Sequence, residues 1–423
     1  MDISLLCRVV DNYGDIGFVY RLARSLSEIC AGRDLSLRLI VSNLESFSKM
    51  APGVDSSKSV QSFCGWTVLD WNDAGTCLAE YKKNPPQVIL ECFQCGRPEW
   101  LDDLLFSADF KSHVQIVNVE YLTAEEWADD FHLLKSGTRS INVKKFNFMP
   151  GFTEKTGGLV LDADFIKSVS SKDAALARLV DFLRQDGNTE ISLKIEGAIK
   201  DPSVFTAVVF AYSRNMDGII EAFVRFQNMR RKGNPSFKVC LFVASGLSSE
   251  PVLESIGKLG SSLDFISLPY MRQEAWDALL CASDWNLIRG EDSFARACLS
   301  GNPFLWHAYV QDDEYQLVKV AAILRRIKEF FESESDFKKY ADLMLVYNRN
   351  LDKPICGESL AAMNELSATD LPSSVEEKCR MESDLLFNML QNSDKIKSVF
   401  TKFSSHLLSL GNLTEKLLSS LPV

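Results

Sequence analysis

The apolar positions of this chain fall into alternating short solid runs and helical stripes. Ile3 to Val10 is nearly solid apolar and predicts a buried strand. It breaks at Asp11-Asn12-Tyr13-Gly14-Asp15-Ile16-Gly17. From Phe18 to Ala31 the spacing turns helical, with Leu22, Leu26 and Ile29 on one face, and Leu35 to Val41 predicts a second strand. Strand, glycine loop, helix and strand make a βαβ unit, so a parallel sheet follows. Further strands are expected at Gln87–Glu91 and Val114–Val119, and Thr123, followed by acidic residues and Trp127, reads as a helix start. Pro150-Gly151 and Gly157-Gly158 mark turns, and Asp173 to Gln185 reads as a helix leading out of the first half.

The rhythm repeats from Ile191. Strands are expected at Thr206–Tyr212, Phe237–Val243, Phe265–Leu268 and Asp284–Ile288, with helices at Met216–Asn228, Val252–Leu259 and Glu274–Ala282. A further helix is expected to begin at Ser293, and beyond Glu314 the chain reads as mainly helical. Two α/β halves of similar size, followed by a helical tail, predict two facing Rossmann-like domains.

Composition narrows the class. The chain has 423 residues, 46% of them hydrophobic and 24% charged, as in ordinary globular proteins. A net charge of −11 argues against a nucleic-acid partner, so an anionic ligand needs a local basic pocket. Eleven scattered cysteines suggest reduced thiols and a cytoplasmic protein. No run approaches the ~18 apolar residues of a membrane span, so no membrane partner is expected.

Chemistry concentrates at Arg289-Gly290-Glu291-Asp292-Ser293-Phe294-Ala295-Arg296-Ala297. A strand ends there and a helix begins, which is where open α/β sheets bind ligands. Free N–H groups and the positive end of the helix dipole attract anions, and Arg289 adds a forked donor suited to phosphate. Two carboxylates beside a phosphate need a different role, either capping the helix or binding hydroxyls. A plain salt bridge from Arg289 to Glu291 or Asp292 is the structural alternative, as is an N-cap made by Asp292 and Ser293. In the first loop, Asp11 and Asp15 would repel a pyrophosphate and fit a cationic or hydroxyl-rich group better. Their structural alternative is helix capping. Cys92-Phe93-Gln94-Cys95 is a lone CxxC without the second pair a zinc site uses.

Five motifs together carry a resemblance: DNYGDIG at 11–17, NVEYLTAEEW at 118–127, PGFTEKTGGL at 150–159, RGEDSFARA at 289–297 and PFLWHAY at 303–309. In this order the chain resembles the EarP family, protein-arginine rhamnosyltransferases of bacterial elongation factor P (EF-P). The resemblance implies an α/β protein of the GT-B type, with an acceptor-binding domain over residues 1–187. A nucleotide-sugar-binding domain would cover 188–405, and a final helix at 406–423 could complete that domain, pack back on the first domain or form an oligomer contact. It implies inverting transfer of L-rhamnose from dTDP-β-L-rhamnose to an arginine of EF-P, supporting translation through polyproline stretches.

Carried over by motif, Asp11, Asp15 and Glu291 are the expected catalytic residues, with Asp15 as base and Asp11 as orienter. Arg289, Asp292, Ser293 and Tyr309 are expected at the diphosphate. Gln273 is expected at the thymine edge, with Phe210 and Tyr212 stacking on the base. Tyr270 could stack or shape the same pocket, and the bland alternatives are core aromatics and a surface glutamine at 273. No cofactor and no metal are expected, because Arg289, Tyr309 and backbone N–H groups can supply the donors. Two other readings fit the residues: a transferase with another nucleotide sugar or acceptor, and a non-catalytic nucleotide- or EF-P-binding protein.

Overall fold

The computed structural model describes residues 1–10, 14–246, 249–259, 263–367, 369 and 371–421. The chain forms two units. One comprises Met1–Asp162 with the C-terminal stretch from Leu408, and the other comprises Ala163–Leu407.

The first unit is built on eight strands: β1 (Asp2–Cys7), β2 (Ser36–Val41), β3 (Val60–Phe63), β4 (Trp66–Asp70), β5 (Val88–Cys92), β6 (Val114–Val119), β7 (Lys135–Ser136) and β8 (Val143–Phe148). Their order is β3-β4-β2-β1-β5-β6-β8-β7. Only the outer pairs β3/β4 and β7/β8 run antiparallel. The central strands are apolar on both faces because helices cover both sides of a parallel sheet. Ile3, Leu5 and Cys7 of β1 enter one core, and Leu6 between them enters the other.

The C-terminal helix Leu413–Ser420 completes the first of these cores with Leu413 and Leu417. Asn412 fixes its start. Its Oδ1 accepts the N–H groups of Thr414 (3.1 Å) and Leu161 (3.2 Å), and its Nδ2 donates to the Leu161 carbonyl (2.8 Å). The Gly157-Gly158 turn has a steric cause: a Cβ on Gly157 would lie 2.4 Å from the Phe148 ring.

The second unit holds a five-stranded, wholly parallel sheet: β9 (Val204–Val209), β10 (Lys238–Val243), β11 (Asp264–Ser267), β12 (Trp285–Arg289) and β13 (Phe304–His307). The order is β11-β10-β9-β12-β13. Helices from Ala163 to Lys200 and from Gln316 to Ser409 accompany it.

The compact units divide at Asp162/Ala163, upstream of the boundary expected after residue 187. The helix Lys172–Gln185 packs on the helix Gln273–Ala282 of the second unit. Arg272 clamps Asp186 with both arms of its guanidinium. Propensity cannot reveal such a choice of partner, because an amphipathic helix only requires some apolar surface to cover.

Candidate active site

Both sheets reverse their strand order once. In the first unit the reversal lies between β1 and β5, and in the second between β9 and β12. Connections leaving two such strands depart to opposite sides and open a crevice at the carboxyl ends. The described residues among those singled out from the sequence gather at these two places.

In the first unit the helix begins at Gly14 rather than Phe18, which puts Asp15 in its first turn. β1 ends at Cys7 instead of running to Val10. Asp15 is buried, at 3% exposure. Its carboxylate accepts the Val10 N–H at 2.7 Å and the Tyr121 hydroxyl at 3.3 Å. Tyr121 follows β6 and stacks on Phe93, which follows β5, at 4.3 Å between centroids. Asp15 thus makes the backbone bond of the structural reading and also engages a side chain from another strand end. Asp11 lies outside the described residues.

In the second unit β12 extends to Arg289, and its helix starts at Glu291 rather than Ser293. Gly290 is the N-cap, with φ +73° and ψ 160°. Only glycine adopts that conformation without strain. Asp292 and Ser293 therefore sit inside the first turn, and neither caps it. The first-turn carboxylates of Glu291 and Asp292 complement the helix dipole.

Arg289 defines the centre. Its guanidinium lies 4.5 Å from the Phe210 ring centroid and 4.7 Å from that of Tyr212. Its buried Nε has no hydrogen-bond partner, and among the described residues Arg289 makes no ion pair. The salt bridge to Glu291 or Asp292 is thus not formed. A cation held on two aromatic faces without a counter-charge is poised for an external anion.

β9 ends at Val209, so Phe210 and Tyr212 lie in the loop after the strand rather than within it. Each turns one face to Arg289, where stacking on thymine was expected. The Phe210 N–H donates to the Leu287 carbonyl at 2.8 Å, which holds this loop against β12.

The remaining candidates surround this group. Trp276 Nε1 donates to Ser293 Oγ at 3.1 Å, and the Trp276 ring meets Phe210 edge-on at 5.2 Å. Gln273 is buried at 8% exposure, not a surface residue. Its Nε2 lies 3.5 Å from Asp292 Oδ2. Tyr309 is 64% exposed beside Tyr212, with ring centroids 5.7 Å apart. Tyr270 follows β11 and is also exposed. Arg289, Phe210, Tyr212, Gln273, Asp292, Ser293 and Tyr309 are therefore one neighbourhood.

Behind the site stand His307 of the PFLWHAY motif and several residues that escaped sequence reading. His307 Nδ1 accepts the Tyr212 N–H at 3.2 Å. Burial, then the charges of Arg214, Lys378 and Arg289, push the His307 imidazole well below its ordinary value. Asn348 accepts the Ala308 N–H at 2.9 Å and donates to the Trp306 carbonyl at 2.8 Å, fixing the segment that ends at Tyr309. Arg214 pairs with Glu382 and donates to the Tyr347 carbonyl at 2.6 Å. Lys378 is held down at about 7, first by burial and then by Arg214. Tyr347, Asn348, Lys378 and Glu382 come from helices at 334–348 and 375–391, His307 from the end of β13 and Arg214 from the loop after β9. Only a buried arginine two residues after Tyr212 could have hinted at them.

The CxxC is not a metal centre on its own. Burial raises Cys92 well above its ordinary value and Cys95 to about 11. Among the described residues no three His, Cys, Asp or Glu side chains gather. The chain also contains Asp162-Ala163-Asp164, in form the Asp-x-Asp triplet with which another glycosyltransferase class binds a metal-diphosphate. Here Asp162 pairs with buried Arg21 at 3.1 Å and Asp164 with Arg178. No helix among the described residues is long and apolar enough to cross a membrane.

Two imidazoles make stability depend on pH. His132 Nδ1 accepts the Met149 N–H at 3.1 Å, and burial followed by Lys416 lowers it to about 4. A depressed histidine favours the folded state fully above its unfolded value near ~6.5, and that contribution fades as pH falls toward the folded value. The urea midpoint is therefore expected to fall between pH 6.5 and 5, before most carboxylates titrate. Replacing His132 and His307 together by Gln should flatten that slope. An unchanged slope would exclude both rings as its source.

Two units, each built on a largely parallel α/β sheet, give the GT-B class of fold, and an anion-ready arginine stands at the switch point of the second. The family described as "Elongation-Factor P (EF-P) rhamnosyltransferase EarP" matches residues 3–421, and the chain belongs to that family. It is an enzyme of the protein-arginine rhamnosyltransferase kind. The protein-arginine rhamnosyltransferase of Pseudomonas putida is 31% identical, over 79% of this chain and 83% of the relative. That of Shewanella oneidensis is 33% identical, over 76% of this chain and 80% of the relative. A solved structure reported as the structural basis for EarP-mediated arginine glycosylation of EF-P shares the fold, with a TM-score of 0.52. It is 19% identical and covers 99% of this chain and 97% of its own.

Proposed function

We propose that the protein moves L-rhamnose from dTDP-β-L-rhamnose, with inversion, to an arginine side chain of EF-P, in the cytoplasm and without a metal. By this route it supports translation through polyproline stretches. The observation that carries the reading is the unpaired Arg289 guanidinium, held by Phe210 and Tyr212 at the start of a helix. The family's description as EF-P rhamnosyltransferases and the solved relative's acceptor support EF-P as partner.

An arginine guanidinium has a pKa above ~12 and stays protonated, so it is a poor nucleophile. A carboxylate cannot deprotonate it in the ground state, but it can orient its plane and take the proton as the C–N bond forms. Asp15 is the base and Asp11 the orienter. The guanidine nitrogen attacks the anomeric carbon from the face opposite the diphosphate. The C–O bond to the diphosphate breaks, and its electron pair leaves with dTDP. Arg289, Tyr309, Ser293 and the helix N–H groups offset the charge that grows there. Asp292 and Gln273 hold the nucleoside side, where the outer faces of Phe210 and Tyr212 receive the thymine. Glu291 serves the sugar or the acceptor guanidinium.

Purified protein, EF-P and dTDP-β-L-rhamnose should yield EF-P heavier by one deoxyhexose on intact mass measurement. An acceptor of unchanged mass would sink the proposed donor–acceptor pair. A thermal shift with dTDP and no product would instead favour a silent binder.

A further inference from the structure

A second polar site lies in the first unit, on the carboxyl side of β5, β6 and β8. A cavity of about 420 Å³ is lined there by Glu91, Gln94, Asn118, Glu120 and Asn147, with Trp127 and Phe131 also on its wall and Lys145 as its one cationic side chain, held by Glu91. Glu91 is already neutralised, by Arg97 and by Lys145 at 2.6 Å. Glu120 is different. It is 9% exposed, and its Oε1 accepts from Gln94 Nε2 at 2.7 Å and from the Asn118 amide. Among the described residues no cation pairs with it.

Asn118 is 5% exposed. Its Nδ2 also donates to Asn147 Oδ1 at 3.2 Å, while its own buried Oδ1 has no partner. A buried carboxylate without a counter-charge and a buried carbonyl without a donor both cost stability. Each lacks the same thing, a cationic donor. The aromatic rings of Trp127 and Phe131 are 45% and 46% exposed, although large apolar rings usually seek cover. An indole face is also the preferred platform for a cation.

We propose that this cavity is a subsite for a guanidinium or ammonium side chain of the acceptor protein. Glu120 supplies the charge, Asn118 Oδ1 an acceptor and Trp127 a flat wall. The inference rests on the acceptor being a protein, and not on its being EF-P. Tyr121, the residue after Glu120, donates to Asp15. The cavity and the proposed base are thus tied to neighbouring residues of one segment.

The test follows the Trp127 indole N–H by NMR during titration with acetyl-arginine amide, acetyl-lysine amide and neutral acetyl-citrulline amide. At least one cationic probe should move that signal with about tenfold tighter binding than citrulline, the size expected of one charged hydrogen bond. The stronger of the two identifies the side chain. Glu120→Gln should abolish the preference, whereas Asp15→Asn should leave the Trp127 response within about twofold. Glu120→Gln should also raise the acceptor KM about tenfold, with kcat and dTDP affinity little changed, and its Tm should hold or rise because an uncompensated charge is removed. Equal response to citrulline, or a response lost in Asp15→Asn and kept in Glu120→Gln, overturns the proposal. So does a fall in Tm with no loss of cation preference. Probe binding does not require transfer, so failure to modify EF-P would leave this result intact.

Discussion

Asp15→Asn is expected to lower kcat for arginine transfer by about 1,000-fold, within the range that a positioned general base supplies. The substitution is close to isosteric. The Asn carbonyl can still accept the Val10 N–H, which now donates to Asp15 Oδ2 at 2.7 Å. The Tyr121 hydroxyl, 3.3 Å from Oδ1, can rotate to accept from the new amide. Local structure should therefore survive, and with it dTDP binding, since Asp15 belongs to the first unit and the Arg289 group to the second. What disappears is the ability to take a proton and to hold a guanidinium by charge. Transfer rates from single-turnover mass measurement, with dTDP affinity by calorimetry, separate the two effects. A rate within threefold of the parent would remove Asp15 as base and leave it a turn-forming residue.

Arg289→Ala carries the other large effect. Loss of the forked donor should weaken dTDP binding about 100-fold and lower kcat/KM by about 1,000-fold or more, because the charge on the leaving diphosphate grows as the bond breaks. Arg289→Lys should recover only part of this. It keeps the charge but neither the fork nor the flat face that lies on Phe210 and Tyr212. Stability supplies a control. A salt-bridging arginine would lower Tm when removed, whereas Arg289 has no counter-charge among the described residues to strand. The ligand-free Ala variant should melt at or above the parent temperature and lose the stabilisation that dTDP gives the parent. Undiminished dTDP affinity in that variant would move the diphosphate elsewhere.

Much of this site was legible before any coordinates. The solid run Trp285–Ile288 followed by Arg-Gly-Glu-Asp-Ser announced a strand end with an anion-binding arginine, and the structure puts Arg289 at the last position of β12. The helix start moved by two residues, from Ser293 to Glu291, because Gly290 caps with its backbone, and a glycine cap leaves no side-chain signature. Phe210 and Tyr212 read as strand residues because aromatics favour strands, yet β9 stops at Val209. Where a strand stops is set by its neighbours' pairing, which propensity does not contain. Trp276, Asn348, Arg214 and Lys378 lay outside any motif, since each acts through a partner distant in sequence.

The sequence by itself determined the alternation of strands and helices, the parallel sheets and the residues that carry charge at the loop after β1 and at the end of β12. Those follow from local periodicity and from chemistry confined to a few neighbouring residues. Tertiary structure alone decided that residues 163–187 join the second unit and that the chain returns at Leu408 to finish the first core. It alone left Arg289 and Glu120 without an ion pair among the described residues, because pairing depends on which side chains from distant elements arrive within reach.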